Sequence, residues 1–137
     1  MARIKYSSDL MKYISLFESV TGAKVRDCIV NEDVIFVVHE NEMGRAIGKQ
    51  GSNIKRIEGI LKKKIRLVES SNDVSQFVQN LIYPIRAKEI KEEDGLVTIY
   101  GNDTKTRGML IGRDKHKINS INDIVKRYFK IKEVKVA

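Results

Sequence analysis

The stretch Gly44-Arg-Ala-Ile-Gly-Lys-Gln-Gly-Ser-Asn-Ile-Lys-Arg-Ile57 reads as two short helices joined by the turn Gly48-Lys49-Gln50-Gly51. Glycines on either side of two polar residues let the chain bend sharply and lie close to another backbone, because no Cβ stands in the way. Apolar Ala46, Ile47, Ile54 and Ile57 fall on one side of the bend, and Arg45, Lys49, Lys55 and Arg56 on the other. Cations beside a tight turn that opens a helix suit a phosphate-bearing strand, since a helix N-terminus favours negative charge.

The charge around this turn sharpens the reading. The chain of 137 residues carries 26 Lys/Arg against 18 Asp/Glu, a formal net charge of +8. Residues 44–66 hold eight of those cations and a single acid, Glu58. A merely solvated helix face mixes signs, and this one does not. Nucleic acid, anionic lipid or an acidic protein could each answer a basic surface. No apolar run approaches the roughly 18 residues needed to span a bilayer, and residues 1–8 show no secretory h-region. Lone Cys28, in the apolar run Cys28-Ile29-Val30, is expected to be a small core residue rather than a reactive thiol. Together these features point to the cytoplasm.

Outward from the turn, the chain reads as one unit written twice. Ser7-Ser8-Asp9 supplies N-cap chemistry, and Leu10, Tyr13, Ile14, Phe17 and Val20 follow at helical spacing, predicting a helix over 8–21 that ends at Thr21-Gly22. Strands are predicted over 23–31 and 34–39 around the polar turn Asn31-Glu32-Asp33. Helices over about 42–47 and 51–61 flank the glycine turn, and a strand over 64–68 closes the unit. The pattern then repeats: a helix carrying Val74, Phe77, Val78 and Leu81 stops near Tyr83-Pro84, where proline cannot continue a helix interior. Strands over 85–91 and 96–100 bracket Glu92-Glu93-Asp94-Gly95. A helix over 104–111, the turn Gly112-Arg113-Asp114-Lys115, a helix over 116–128 and a strand over 131–136 complete the second copy. Gly44, Ile47, Gly48, Ile54 and Ile57 recur as Gly108, Ile111, Gly112, Ile118 and Ile121 at an offset of 64, while the strands align near 62. A small insertion therefore precedes the second turn. Both halves read α-β-β-α-α-β, an α+β architecture with domains at 1–71 and 72–137, each a three-stranded sheet packed against helices.

Three known devices compete for the glycine turn. A nucleotide-binding P-loop needs G-x-x-x-x-G-K-[ST] after a strand. Here Gly44 and Gly48 are one residue too close, Gln50 stands where the hydroxyl belongs, and the turn joins two helices. A DNA-binding helix-turn-helix also joins two helices through a turn, but the first helix is very short and the neighbouring strands imply a mixed fold. The GXXG loop of KH modules, which clamps about four nucleotides of a single strand, accounts for more residues. Lys49 offers a mobile cation, Gln50 a polar contact, and Ile47 and Ile54 a groove wall. The few aromatics do not interleave with the basic cluster, so stacking platforms are not indicated.

The block Val37-Val38-His39-Glu40-Asn41-Glu42-Met43-Gly44-Arg45-Ala46-Ile47-Gly48-Lys49-Gln50-Gly51-Ser52-Asn53-Ile54-Lys55, with Phe77-Val78-Gln79-Asn80-Leu81-Ile82-Tyr83-Pro84, resembles type II KH domains. The paired architecture is similar to the archaeal NusA-like transcription factors, and the likeness covers essentially the whole chain. The resemblance implies two tandem type II KH domains that bind single-stranded RNA and regulate transcription elongation or termination. Nascent transcript and ribosomal RNA are the candidate ligands, the latter through ribosome assembly or translation. RNA polymerase is a further candidate partner, either beside RNA or as the target of a protein-docking module with little RNA affinity. A monomer with no cofactor, no metal and no membrane contact is expected. The RNA-binding residues implied are Arg45, Ile47, Gly48, Lys49, Gln50, Gly51, Asn53, Ile54 and Lys55. In the second unit they are Lys105, Arg107, Ile111, Gly112, Arg113, Lys115 and Lys117. That second turn lacks the closing glycine, and Asp114 brings negative charge to the phosphate position, so a weaker contact is expected there.

Catalysis is not indicated. His39 and His116 have no Cys or His companion at metal-ligand spacing. Glu92-Glu93-Asp94 reads as an exposed hairpin turn, and no nucleophile motif surrounds any serine.

Overall fold

The computed structural model describes residues 8–31 and 33–137. It is a mixed α+β structure in which the described residues divide into two compact units, up to Ser70 and from Ser71 onward. The first unit runs α1 (Ser8–Thr21), β1 (Val25–Val30), β2 (Val34–Val38), α2 (Met43–Ile47), α3 (Ser52–Leu61) and β3 (Ile65–Glu69). The second runs α4 (Val74–Ile82), β4 (Glu89–Glu93), β5 (Leu96–Tyr100), α5 (Thr104–Ile111), α6 (His116–Tyr128) and β6 (Glu133–Val136). Each contains a three-stranded sheet with its second strand in the middle, antiparallel to the first and parallel to the third. The parallel pairing requires a crossover, and in both units that crossover is the helix pair carrying the glycine turn.

In the first unit α1 lays Leu10 and Phe17 on the sheet, where Phe17 stacks on Phe36 with ring centroids 4.3 Å apart. Cys28, Val34, Val38, Ala46, Ile57 and Ile65 complete that core. Burial pushes the Cys28 thiol up to about 12, with the neighbouring Asp27 charge adding to it, so the cysteine is an inert core residue. Full burial of one such large side chain is worth roughly 1.5–3 kcal/mol. In the second unit Phe77 meets Tyr128 and Phe129 at centroid distances of 5.4 and 5.6 Å. Val97, Ile99, Leu110, Ile121, Ile124, Val125 and Val134 are buried there.

Equivalent positions tie the crossover helix to the third strand. The Glu58 carboxylate on α3 accepts from the Ile65 N–H at 3.0 Å. Asn122, at the same place on α6, accepts from the Val134 N–H at 2.7 Å and donates to the Val134 carbonyl at 2.8 Å. Glu58, the lone acid of the basic segment, is thus engaged in holding a strand.

The strand predicted over 85–91 needs correction, because β4 starts at Glu89 and runs through Glu93. The Gln79 side chain takes the backbone of the preceding segment, donating to the Ile85 carbonyl at 3.1 Å and accepting from the Ala87 N–H at 3.4 Å. The hairpin turn shrinks to Asp94-Gly95, both at positive φ (52° and 85°), the conformation favoured in two-residue hairpins. The last strand likewise starts at Glu133 rather than 131, and the outer residues of the first hairpin (23–24, 31 and 39) lie outside β1 and β2, although the His39 N–H still donates to the Lys24 carbonyl at 3.0 Å. Ser7 of the expected N-cap and Glu32 of the expected turn fall outside the described residues.

Candidate nucleic-acid interface

Both helix pairs end their first helix on a glycine whose conformation and surroundings both oppose a side chain. Gly48 has φ 75° and ψ 174°, a region that is essentially glycine-only. A Cβ there would stand 2.7 Å from the Asn53 side chain and 3.0 Å from its backbone nitrogen. Gly112 repeats the case at φ 77° and ψ 172°, its Cβ meeting Lys117 Cβ at 2.8 Å. The next corner also coincides: Gln50 lies at φ 56°, ψ 32° and Asp114 at φ 55°, ψ 31°. Gly51 and Lys115 then enter α3 and α6 from the left-handed region, at φ 74° and 62°. The Gly51 and Lys115 N–H groups each donate at 3.2 Å, to the carbonyls of Gly48 and Gly112.

This identity explains how the second turn dispenses with its closing glycine. A Cβ at Gly51 would meet nothing within 4 Å. A side chain there is opposed by conformation and not by space. A lysine can therefore stand at 115, at the roughly 1–2 kcal/mol that a left-handed L-residue costs. Asp114 suits its own corner, since Asp and Asn tolerate that conformation best.

The predicted first-site residues occupy the turn and its flanks. Lys49, Gln50 and Lys55 are exposed, and Ile47, Gly51 and Ile54 are half-buried. Neither Lys49 nor Lys55 forms an ion pair among the described residues. Arg45 is anchored: it donates to the Gly22 carbonyl at 3.3 Å and pairs with Glu42 at 3.7 Å, while its side chain stays 63% exposed. Asn53 holds the turn together, its amide donating to the Arg45 carbonyl at 2.9 Å across the bend. That bond satisfies a helix-end carbonyl of α2, so Asn53 positions the turn.

In the second unit Arg113, Asp114, Lys115 and Lys105 are exposed, and Arg107, Ile111, Gly112 and Lys117 are half-buried, with Ile118 buried. Arg107 folds back over Gly101 and donates to the Thr104 hydroxyl at 3.1 Å. The predicted insertion lengthens the first helix here, giving α5 eight residues against five in α2. Asp103 caps the added turn by accepting from the Thr106 N–H at 2.7 Å. That bond holds the Asp103 carboxyl below its ordinary value of 3.8, aided by Arg107 and Lys105; α2 has no side-chain cap.

Five cations of the basic segment lie outside the predicted site residues, and of these Arg66 is half-buried. Arg56, Lys62, Lys63 and Lys64 are exposed. The charge count over 44–66 included them, but spacing to the glycines gave no reason to place them in the site. Among the described residues no cluster of His, Cys, Asp and Glu could hold a metal ion, and no helix is long and apolar enough to cross a membrane.

Comparison with known proteins agrees with this geometry. The sequence profile of the KH domain matches residues 12–95, covering the first helix pair and its turn. A protein of Halococcus morrhuae described as a probable transcription termination protein NusA is 34% identical, over 98% of this chain and 99% of its own. One of the same description from Methanococcus vannielii is 37% identical over 98% of this chain and 80% of its own. Among solved structures, the crystal structure of APE1850 superposes with a TM-score of 0.75 at 30% identity, covering 96% of this chain and 100% of that one.

Proposed function

Because the chain belongs to the KH-domain family, in its archaeal NusA-like group, we propose that it binds single-stranded RNA and regulates transcription elongation or termination. The finer reading takes each unit as a type II KH domain, on the ground that both share one element order, one sheet topology and one turn backbone. The function is that of a binding factor and not of a catalyst.

The observation that carries the mechanism is the Gly48-Lys49-Gln50-Gly51 turn, with Lys49 and Gln50 exposed at the start of α3. The first N–H groups of a helix have no intrahelical acceptor, and its dipole adds a favourable field for an anion. The Gly51 and Ser52 N–H groups are bonded within the turn, to the Gly48 and Lys49 carbonyls, so a phosphate of the RNA backbone meets the field of the helix start while Lys49 supplies a mobile cation. Ile47 and Ile54, half-buried beside the turn, form the apolar wall on which unstacked bases rest. The second turn presents the same backbone with Arg113 and Lys115 but sets Asp114 toward the ligand, so it grips less strongly.

Crosslinking in cells, followed by sequencing of the attached RNA, tests the proposal. Nascent transcripts spread along many genes are expected. Recovery of mature ribosomal RNA alone would move the protein to ribosome assembly or translation. Recovery of no RNA would leave a protein-docking role on polymerase.

A further inference from the structure

The outward face of α3 continues the basic surface away from the glycine turn. Lys55 and Arg56 are exposed one turn into the helix, Gly59 and Ile60 follow, and Lys62, Lys63 and Lys64 stand exposed beyond its C-terminus. Ten residues of helix extend about 15 Å, so this strip reaches well past the phosphate held at the turn. None of Lys55, Arg56, Lys62, Lys63 and Lys64 forms an ion pair among the described residues. The middle of the strip is unobstructed, since a Cβ on Gly59 would meet nothing within 4 Å.

The one acid of this stretch, Glu58, is taken up by the Ile65 N–H, so the strip presents a single sign of charge, unlike an ordinary solvated face. On α6 the positions of Lys55, Arg56 and Gly59 are Asn119, Ser120 and Asp123, with Ile124 buried in the core, while those of Lys62 and Lys63 are Lys126 and Arg127, so the two units differ in charge at the start of this helix and agree at its end. Lys62 also sits at φ 55°, ψ 39°, the left-handed residue that ends α3, a position glycine fills with least strain.

We infer that the strip Lys55, Arg56, Lys62, Lys63 and Lys64 is a second contact for the phosphate backbone of the same RNA strand, extending the footprint along α3 beyond the few nucleotides held at the turn. The inference rests on the RNA-binding reading above. Its chemistry is sequence-independent: lysines displace condensed counterions, and log affinity falls with log salt by roughly 0.7 per phosphate contacted on a single strand. The strip therefore contributes length dependence and salt dependence, and base choice stays with the turn.

The test uses the full chain and two oligouridines, one of about four nucleotides, the length a KH clamp holds, and one about three times longer. Affinities are measured across a salt series for the wild type and for the combined variant Lys62→Gly, Lys63→Ser, Lys64→Ser. Glycine at 62 relieves the left-handed residue, so the variant should fold, which circular dichroism checks. For the long RNA the variant should lose about tenfold to fiftyfold in affinity, and its salt slope should shallow by about 2; the short RNA should bind both proteins equally. An unchanged slope on the long RNA overturns the inference and leaves the turn mechanism standing. Equal losses on both lengths overturn it too, by assigning the lysines to the turn site. If the variant binds both RNAs like wild type but loses polyglutamate, the strip faces an acidic protein instead. Failure of the wild type to bind either RNA overturns the RNA reading itself.

Discussion

The turns at Gly48 and Gly112 share a backbone and differ in what that backbone carries. Their leading glycines agree within about 2° in φ and ψ, and so do Gln50 and Asp114 at the corner. Yet one turn offers Lys49 and Gln50 and closes on glycine, while the other offers Arg113 and Asp114 and closes on a left-handed lysine. The shape of the loop is therefore set by its first glycine and by the residue five positions on, Asn53 or Lys117, that leaves no room for a Cβ. The middle pair and the closing residue are available for adjusting what is held.

The comparison breaks first on binding. Replacing Lys49 and Gln50 together by Asp should weaken RNA affinity about a hundredfold or more while leaving the fold intact, because Asp114 already occupies the equivalent corner in the same conformation. Titration with a short single-stranded RNA measures it, and undiminished affinity would remove the turn from the mechanism. Next in size is stability. Gly48→Ala and Gly112→Ala should each destabilise their units by about 3 kcal/mol in denaturant unfolding, since a glycine-only conformation is combined with a close contact. Gly51→Ala, with open space and only the left-handed φ against it, should cost about 1 kcal/mol. Equal losses at 48 and 51 would refute the claim that shape resides in the leading glycine.

Smaller effects sharpen the ranking of the two units. Arg113→Asp should reduce RNA affinity only severalfold, and Asp114→Gln should raise it severalfold by removing a carboxylate from a phosphate site. A loss at Arg113 as large as that at Lys49 would invert the order. The least effect concerns the cap on α5. A carboxyl held below its ordinary value stabilises the fold at pH above that value and loses the contribution as pH falls through the lowered one. The Thr106 amide resonance should therefore titrate with a midpoint below 3.8, and Asp103→Asn should abolish that transition.

Much of this molecule was legible in its residues. The element order, the duplication and both turns follow from apolar spacing and glycine placement, which are local signals. The start of β4 was not, because the Gln79 side chain reaches forward to engage the Ile85 and Ala87 backbone, and spacing cannot register such a bond. That the Asn53 amide closes the turn onto the Arg45 carbonyl was not legible either, because the bond depends on the bend bringing the two residues together. Lys62 through Lys64 were visible as charge, and the structure adds that they stand exposed beyond the end of α3.

By itself the sequence determined the α-β-β-α-α-β order, the sharp bend at each leading glycine and the concentration of positive charge around the first. These depend on periodicity and on backbone freedom, which each residue carries with it. Tertiary structure alone decided that a lysine at 115 and a glycine at 51 hold the same conformation, and that Glu58 and Asn122 serve strands rather than solvent. Those outcomes depend on the space and the hydrogen-bond partners around a residue, and both are supplied by segments distant in the chain.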